Sequence, residues 1–262
     1  MTKTHELSAI AAIAARDLLK FLRDRNRVVG SFLFPFLIVV LLGGTAQLNL
    51  GKSVGFNFIS FTFTGALGMT IFQSSVQGIA SLLDDRQNDF AQAIFVSPVS
   101  RYTIVFGKLL GETMVAIAQA VPLVILALAL RVSISPTQLA LMLPVALISC
   151  LLGGSFGLVA MSLINSQQAA NQIFNFLLLP QLFLAGVFTP IATLPWYLAA
   201  LSLLSPMRYV VDLFRDVLYA GQPEYHTVVL LGPATNLLAM ALMFVVFMAL
   251  GTALFVRRET NR

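Results

Sequence analysis

Apolar residues run along this chain in blocks of about twenty or more, separated by short polar breaks. A helix needs roughly 20 mostly apolar residues to cross the hydrocarbon core of a bilayer. The first block spans 28–48, and Pro35 inside it predicts a bend. A polar turn at 49–55 leads to a second block, 57–83. A third ends near Leu130, and 131–136 is a turn. The fourth covers 139–164 and is closed by the polar run 165–172, after which a fifth begins near Ile173. The last spans 228–256. These blocks predict an all-α membrane protein with six transmembrane helices in a single domain over 1–262.

Three segments depart from that plan. Over 1–27, Leu7, Ile10, Ala14, Leu18 and Phe21 share one helical face, with Arg16, Lys20, Arg23 and Arg27 opposite. This predicts an amphipathic helix in the headgroup plane, its basic face toward anionic lipid phosphates. Its charges lie too far along it for a cleaved signal sequence. The segment 180–225 is too long for a turn and too apolar for a solvated loop, and Pro190, Pro195 and Pro206 break it. Non-helical backbone at membrane depth must be satisfied by protein or water. The expectation is an external re-entrant segment of short helices between the fifth and sixth crossings, with Trp196 and Tyr197 near the interface.

The third is the charged loop 84–101. Asp84, Asp85 and Asp89 cluster at one end, as acids do in a first helical turn, and Pro98 ends the helix. Phe90, Ile94 and Phe95 give that helix an apolar patch rimmed by charge, a pattern that marks a partner site or caps the neighbouring crossings.

Composition strengthens the membrane reading. Of 262 residues, 58% are hydrophobic and 10% charged, with a mean hydropathy of +0.88; a soluble domain carries about 25% charged residues. The formal net charge of +5 does not imply nucleic acid, because the basic residues lie between apolar blocks without interleaved aromatics. With the N-terminus inside, 12 of the 16 Lys and Arg residues fall on that side, leaving Lys52, Arg131, Arg208 and Arg215 outside. Both termini are therefore expected in the cytoplasm.

Catalytic chemistry finds no footing. Gly51-Lys52-Ser53 resembles the end of a phosphate-binding loop, but Ala46 stands where that motif needs glycine. Cys150 lies alone in an apolar block, and His5 and His226 are at opposite ends, so no metal site is expected. Polar residues inside crossings are more informative. Thr70, Gln73 and Gln77 share a face with Thr62 in the second block, and Asn171 and Asn175 share one with Gln168 before the fifth. Such residues hydrogen-bond between helices or line a pathway. Gly107/Gly111 and Gly153/Gly157 have the spacing that lets helices approach closely. Arg208, Asp212 and Arg215 share a face, where Arg208 and Asp212 can pair as i,i+4 neighbours on an interfacial helix or form a gate.

The sequence resembles the permease subunit of ABC-2 type transporters, in particular the drug-export branch typified by daunorubicin-resistance permeases. One carrier is Asp85-Arg86-Gln87 with Phe90, Ile94, Val96, Pro98-Val99-Ser100-Arg101 and Gly107-Lys108. The other is the string 184–190 ending in Thr189-Pro190, with Leu194-Pro195, Ser205-Pro206, Tyr209, Asp212 and Arg215. Asp89 stands where the family usually has glycine, Gln92 and Ala93 where charges are common, and Arg208 where a small or hydroxyl residue is typical. The resemblance implies an inner-membrane exporter and multidrug resistance. It implies a homodimer bound to separate cytoplasmic ATP-binding cassette subunits, which would hold the ATP and Mg; this chain would bind no cofactor of its own. Asp85, Arg86, Phe90, Ile94, Pro98 and Arg101 would belong to the helix that couples to the ATPase, and the cargo would be an amphipathic drug, lipid or glycolipid. Two other classes stand beside it: an ion-coupled secondary transporter, for which Glu112 is the acidic candidate with Lys108 one turn away, and a non-transporting membrane scaffold.

Overall fold

The computed structural model describes residues 3–51, 55–87, 101–162 and 167–260. Every regular element among them is helical. The helix α1 (Lys3–Arg23) is followed by α2 (Arg25–Leu37), a π-turn (Ile38–Gly43) and α3 (Gly44–Leu50), which together make one apolar path. Then come α4 (Phe58–Gln87), α5 (Arg101–Ala129), α6 (Pro136–Ser162) and α7 (Gln167–Leu184). A 3₁₀ turn (Ile191–Thr193), α8 (Trp196–Ser202), α9 (Pro206–Tyr219), α10 (Tyr225–Val228) and α11 (Pro233–Thr260) complete the fold. Among the described residues four stretches are long and apolar enough to cross a membrane: Arg25–Leu50, Phe106–Ala129, Pro136–Ala160 and Tyr225–Leu254. A fifth exists if α8 and α9, which meet at 88°, form one broken span.

The boundaries correct the sequence reading in several places. The N-terminal helix stops at Arg23, not Arg27. Asp24 caps α2 by accepting the Arg27 backbone N–H at 3.0 Å, which places Arg27 in the first crossing. Pro35 stays inside α2, and the register change it causes is absorbed just beyond it as the π-turn, since proline removes a ladder donor and crowds the preceding turn. Asp84 and Asp85 do not open a separate helix: they lie in the last turns of α4, because neither Gly nor Pro interrupts the chain between Leu83 and Gln87. The polar run after the fourth block is helical from Gln167 onward, and Pro180 sits within α7. That helix ends instead at Gly186, whose φ of +70° suits a residue without a Cβ.

The helix α4 lies at the centre, with residues 61–72 all buried. Enclosure by protein explains why it is less uniformly apolar than the outer crossings. Its hydroxyls return to its own backbone, Thr62 to Phe58 O at 2.7 Å and Thr70 to Ala66 O at 2.8 Å. Against it lies α9, so close that a Cβ on Gly68 would stand 3.2 Å from the Val211 Cα, and one on Gly65 would stand 3.0 Å from the Val187 Cα. The expected close approaches are present too: Gly107 and Gly111 of α5 admit Ile13, Ala14 and Asp17 of α1, while Gly153 and Gly157 of α6 admit the backbone of Phe72 and Val76.

A polar cleft and the contacts that frame it

The helices α2, α4, α5 and α7 leave a cleft of about 560 Å³ between them. Arg27 and Ser31 of α2 stand on one wall; Thr70, Gln73 and Gln77 of α4 form a second; Gln119 of α5 and Leu182 of α7 complete it. The polar face predicted from the sequence therefore borders open space. Thr70 is buried and bonded to its own helix, whereas Gln73 is half-buried and Gln77 exposed, so both amides are turned to the cleft. Asn171 and Asn175 lie on α7. Gln119 and Arg27 were missed as part of this face, because each comes from a helix that only the fold brings alongside α4.

Beside the cleft, α1 is fastened to α5 by buried charge. Lys108 Nζ lies 2.9 Å from Asp17 Oδ2 and 3.4 Å from Glu112 Oε1, with all three side chains about 5% exposed. Gly78 of α4 closes the group from the other side, where a Cβ would collide with the Glu112 carboxyl. The apolar stripe of α1 is thus covered largely by α5 rather than by lipid, with Ala14 and Phe21 buried. Asp17 was legible as an anomaly: it stands on the stripe of Ile10, Ala14 and Phe21, where an acid has no reason to be unless a base meets it.

The segment after α7 is organised by prolines and by one buried helix. Pro190 and Pro195 immediately precede the 3₁₀ turn and α8, and Pro206 opens α9, the end of a helix where a missing N–H costs nothing. Trp196 and Tyr197 are exposed at 83% and 56%. The helix α9 is not an interfacial helix with one wet face; nearly all of it is buried. Its polar residues reach other elements instead of each other. Arg208 donates to Ser202 Oγ at 2.5 Å, and Tyr209 donates to Leu203 O at 2.9 Å. Asp212 does not pair with Arg208: it accepts the backbone N–H groups of Leu230 and Leu231 and the Asn236 amide, each at 2.9 Å. Arg215 donates to Gly186 O at 2.6 Å and lies 3.7 Å above the Phe61 ring. Enclosure by α4, α6 and α11 forces this, since a buried charge needs fixed partners.

Asp85 and Arg86 lie in the last turn of α4 and Arg101 opens α5; Phe90, Ile94 and Pro98 fall outside the described residues. Among the described residues no group of three His, Cys, Asp or Glu side chains could hold a metal ion.

Residues 8–219 match the ABC-2 type transporter family. The chain belongs to that family. It is 25% identical over 214 residues to the inner membrane transport permease YadH of Escherichia coli K12, covering 79% of this chain and 81% of that one. It is also similar to the putative transport permease ycf38 of Cyanophora paradoxa, 21% identical over 213 residues, covering 80% and 73% of the two chains. The ycf38 permease of Porphyra purpurea is 24% identical over 218 residues. This ABC-2 chain is accordingly a transport permease by family, and a multi-span membrane protein by fold.

Proposed function

We propose that this ABC-2 permease is the membrane half of an ATP-driven exporter whose ATPase is a separate cytoplasmic chain. The observation that carries the reading is the polar-walled cleft between crossing helices, in a chain of a transport family. Six crossings follow if α4 and α7 also span, with both termini cytoplasmic and residues 180–225 facing outward. Two permease copies would pair, and the segment joining α4 to α5, around Asp85–Pro98, would seat in the ATPase. Closure of the ATPase pair on ATP would then shift the population between inward- and outward-open clefts. The cargo is an amphipathic drug, lipid or glycolipid.

Against the competing ion-coupled mechanism stands the contact of its acidic candidate, Glu112, whose Oε1 lies 3.4 Å from Lys108 Nζ. Phe90 and Ile94 are apolar groups on a charged segment, and covering one such side chain stabilises a contact by about 1.5–3 kcal/mol. Replacing both by Ala should leave the permease inserted and remove most ATPase copurification, or the stimulation of ATP hydrolysis in the assembled complex. Unchanged assembly with unchanged hydrolysis would withdraw the coupling role.

A further inference from the structure

Arg27 stands in the first turns of the Arg25–Leu50 span, at the end of the polar cleft. Its backbone N–H goes to Asp24 and its guanidinium lies 5.6 Å from the centre of the Phe21 ring, while among the described residues no carboxylate stands within ion-pair distance of it. A guanidinium stays charged at every physiological pH and matches phosphate, sulfonate or carboxylate with two parallel hydrogen bonds. Beyond it the wall changes character. Gln77, Gln73 and Thr70 descend the face of α4 over about 10 Å, at 1.5 Å per residue, and α2 and α4 run antiparallel, so the ladder leads away from Arg27. Gln119 adds a third amide from α5. Deeper in, Phe34 is exposed and Leu182 is buried, and both border the same space.

The cleft thus combines a fixed cation, amides that both donate and accept, and hydrocarbon. We propose that the cleft binds an anionic amphipath. Its acidic head meets Arg27, its polar linkage hydrogen-bonds Gln73, Gln77 and Gln119, and its tail lies against Phe34 and Leu182. A neutral cargo would make no use of the cation; a small hydrophilic anion would leave the apolar floor uncovered. This deepens the exporter reading by naming a cargo class, and rests on that reading only for the fate of the bound molecule.

The test is equilibrium binding to the full-length permease in neutral detergent. The probes are fluorescent short-chain phosphatidylglycerol and its phosphatidylcholine counterpart. Phosphatidylglycerol should bind at least about tenfold more tightly. Arg27→Gln should abolish that preference, bringing phosphatidylglycerol affinity down to that of phosphatidylcholine; Arg27→Lys should keep most of it, and Gln73→Leu with Gln77→Leu should weaken both probes several-fold. Size-exclusion profiles and helical circular dichroism matching wild type show that each variant is folded. Displacement by dodecyl phosphate supports a site that reads any anionic amphipath; lack of displacement, with the preference intact, supports a glycerolipid ligand. Equal affinity for the two lipids, or a preference that survives Arg27→Gln, overturns the proposal. Binding that passes these criteria in a permease that recruits no ATPase would sink the exporter reading and leave the site standing.

Discussion

Lys108 of α5 reaches Asp17 of α1 at 2.9 Å inside a contact from which water is excluded. The pair joins the N-terminal helix to the crossing that follows the 88–100 segment, and Glu112 on the next turn takes the same ammonium. Both acids meet the same ammonium. Buried ion pairs add little over an apolar replacement, but removing one partner is severe.

Lys108→Met should therefore cost about 3–5 kcal/mol, read as a lowered thermal-unfolding midpoint in detergent. The triple change Asp17→Asn, Lys108→Met and Glu112→Gln should recover much of the loss. A single variant that melts like wild type would remove the cluster from the list of stabilising contacts.

Gly78→Ala places a methyl against the Glu112 carboxyl. Overpacking of this kind costs about 1–3 kcal/mol. Adding Glu112→Ala should relieve the collision, so the double variant should be less unstable than the two single losses added together; strict additivity would mean the two sites do not touch.

Asp212→Ala leaves two backbone donors without their acceptor and the Asn236 amide with Leu231 O alone, at 3.2 Å. Each orphaned buried group costs about 1–3 kcal/mol. Hydrogen exchange at Leu230 and Leu231 should accelerate well ahead of exchange in α4. Exchange rising equally in both would point to global unfolding in place of a local release.

Topology is checked by cysteine labelling in a Cys150→Ser background. Residues 193 and 222, on either side of the α8–α9 bend, should both react from outside the cell, and tags at both termini should stay inaccessible. Reaction of one position only from the cytoplasm would make the bent pair a full crossing.

The apolar blocks made the helical membrane fold legible, because spanning length and hydropathy are properties of the chain alone. The polar face of α4 was legible for the same reason: Thr70, Gln73 and Gln77 share one helix. What eluded the sequence was pairing between distant elements. Asp212 and Arg208 have ideal i,i+4 spacing, yet Asp212 turns to the start of α11 and Arg208 to Ser202; sequence spacing cannot tell which neighbour a buried side chain will meet. Helix ends failed for a related reason. The irregular segment was expected to begin at Pro180, but α7 continues to Leu184 and the turn waits for Gly186.

The unbroken length of α4 has a mechanical consequence. Its 30 residues make a rod about 45 Å long, while α9 and the Val187 backbone grip it at Gly65 and Gly68. Measured from Gly68, that fulcrum lies about 15 Å from Phe58 and about 28 Å from Gln87 along the axis. Phe58 is tethered in turn to Gln47, whose Oε1 accepts its N–H at 2.7 Å. A sideways push of a few ångströms at the Gln87 end therefore arrives at the Phe58 end reversed and at about half the size, carried by one stiff helix.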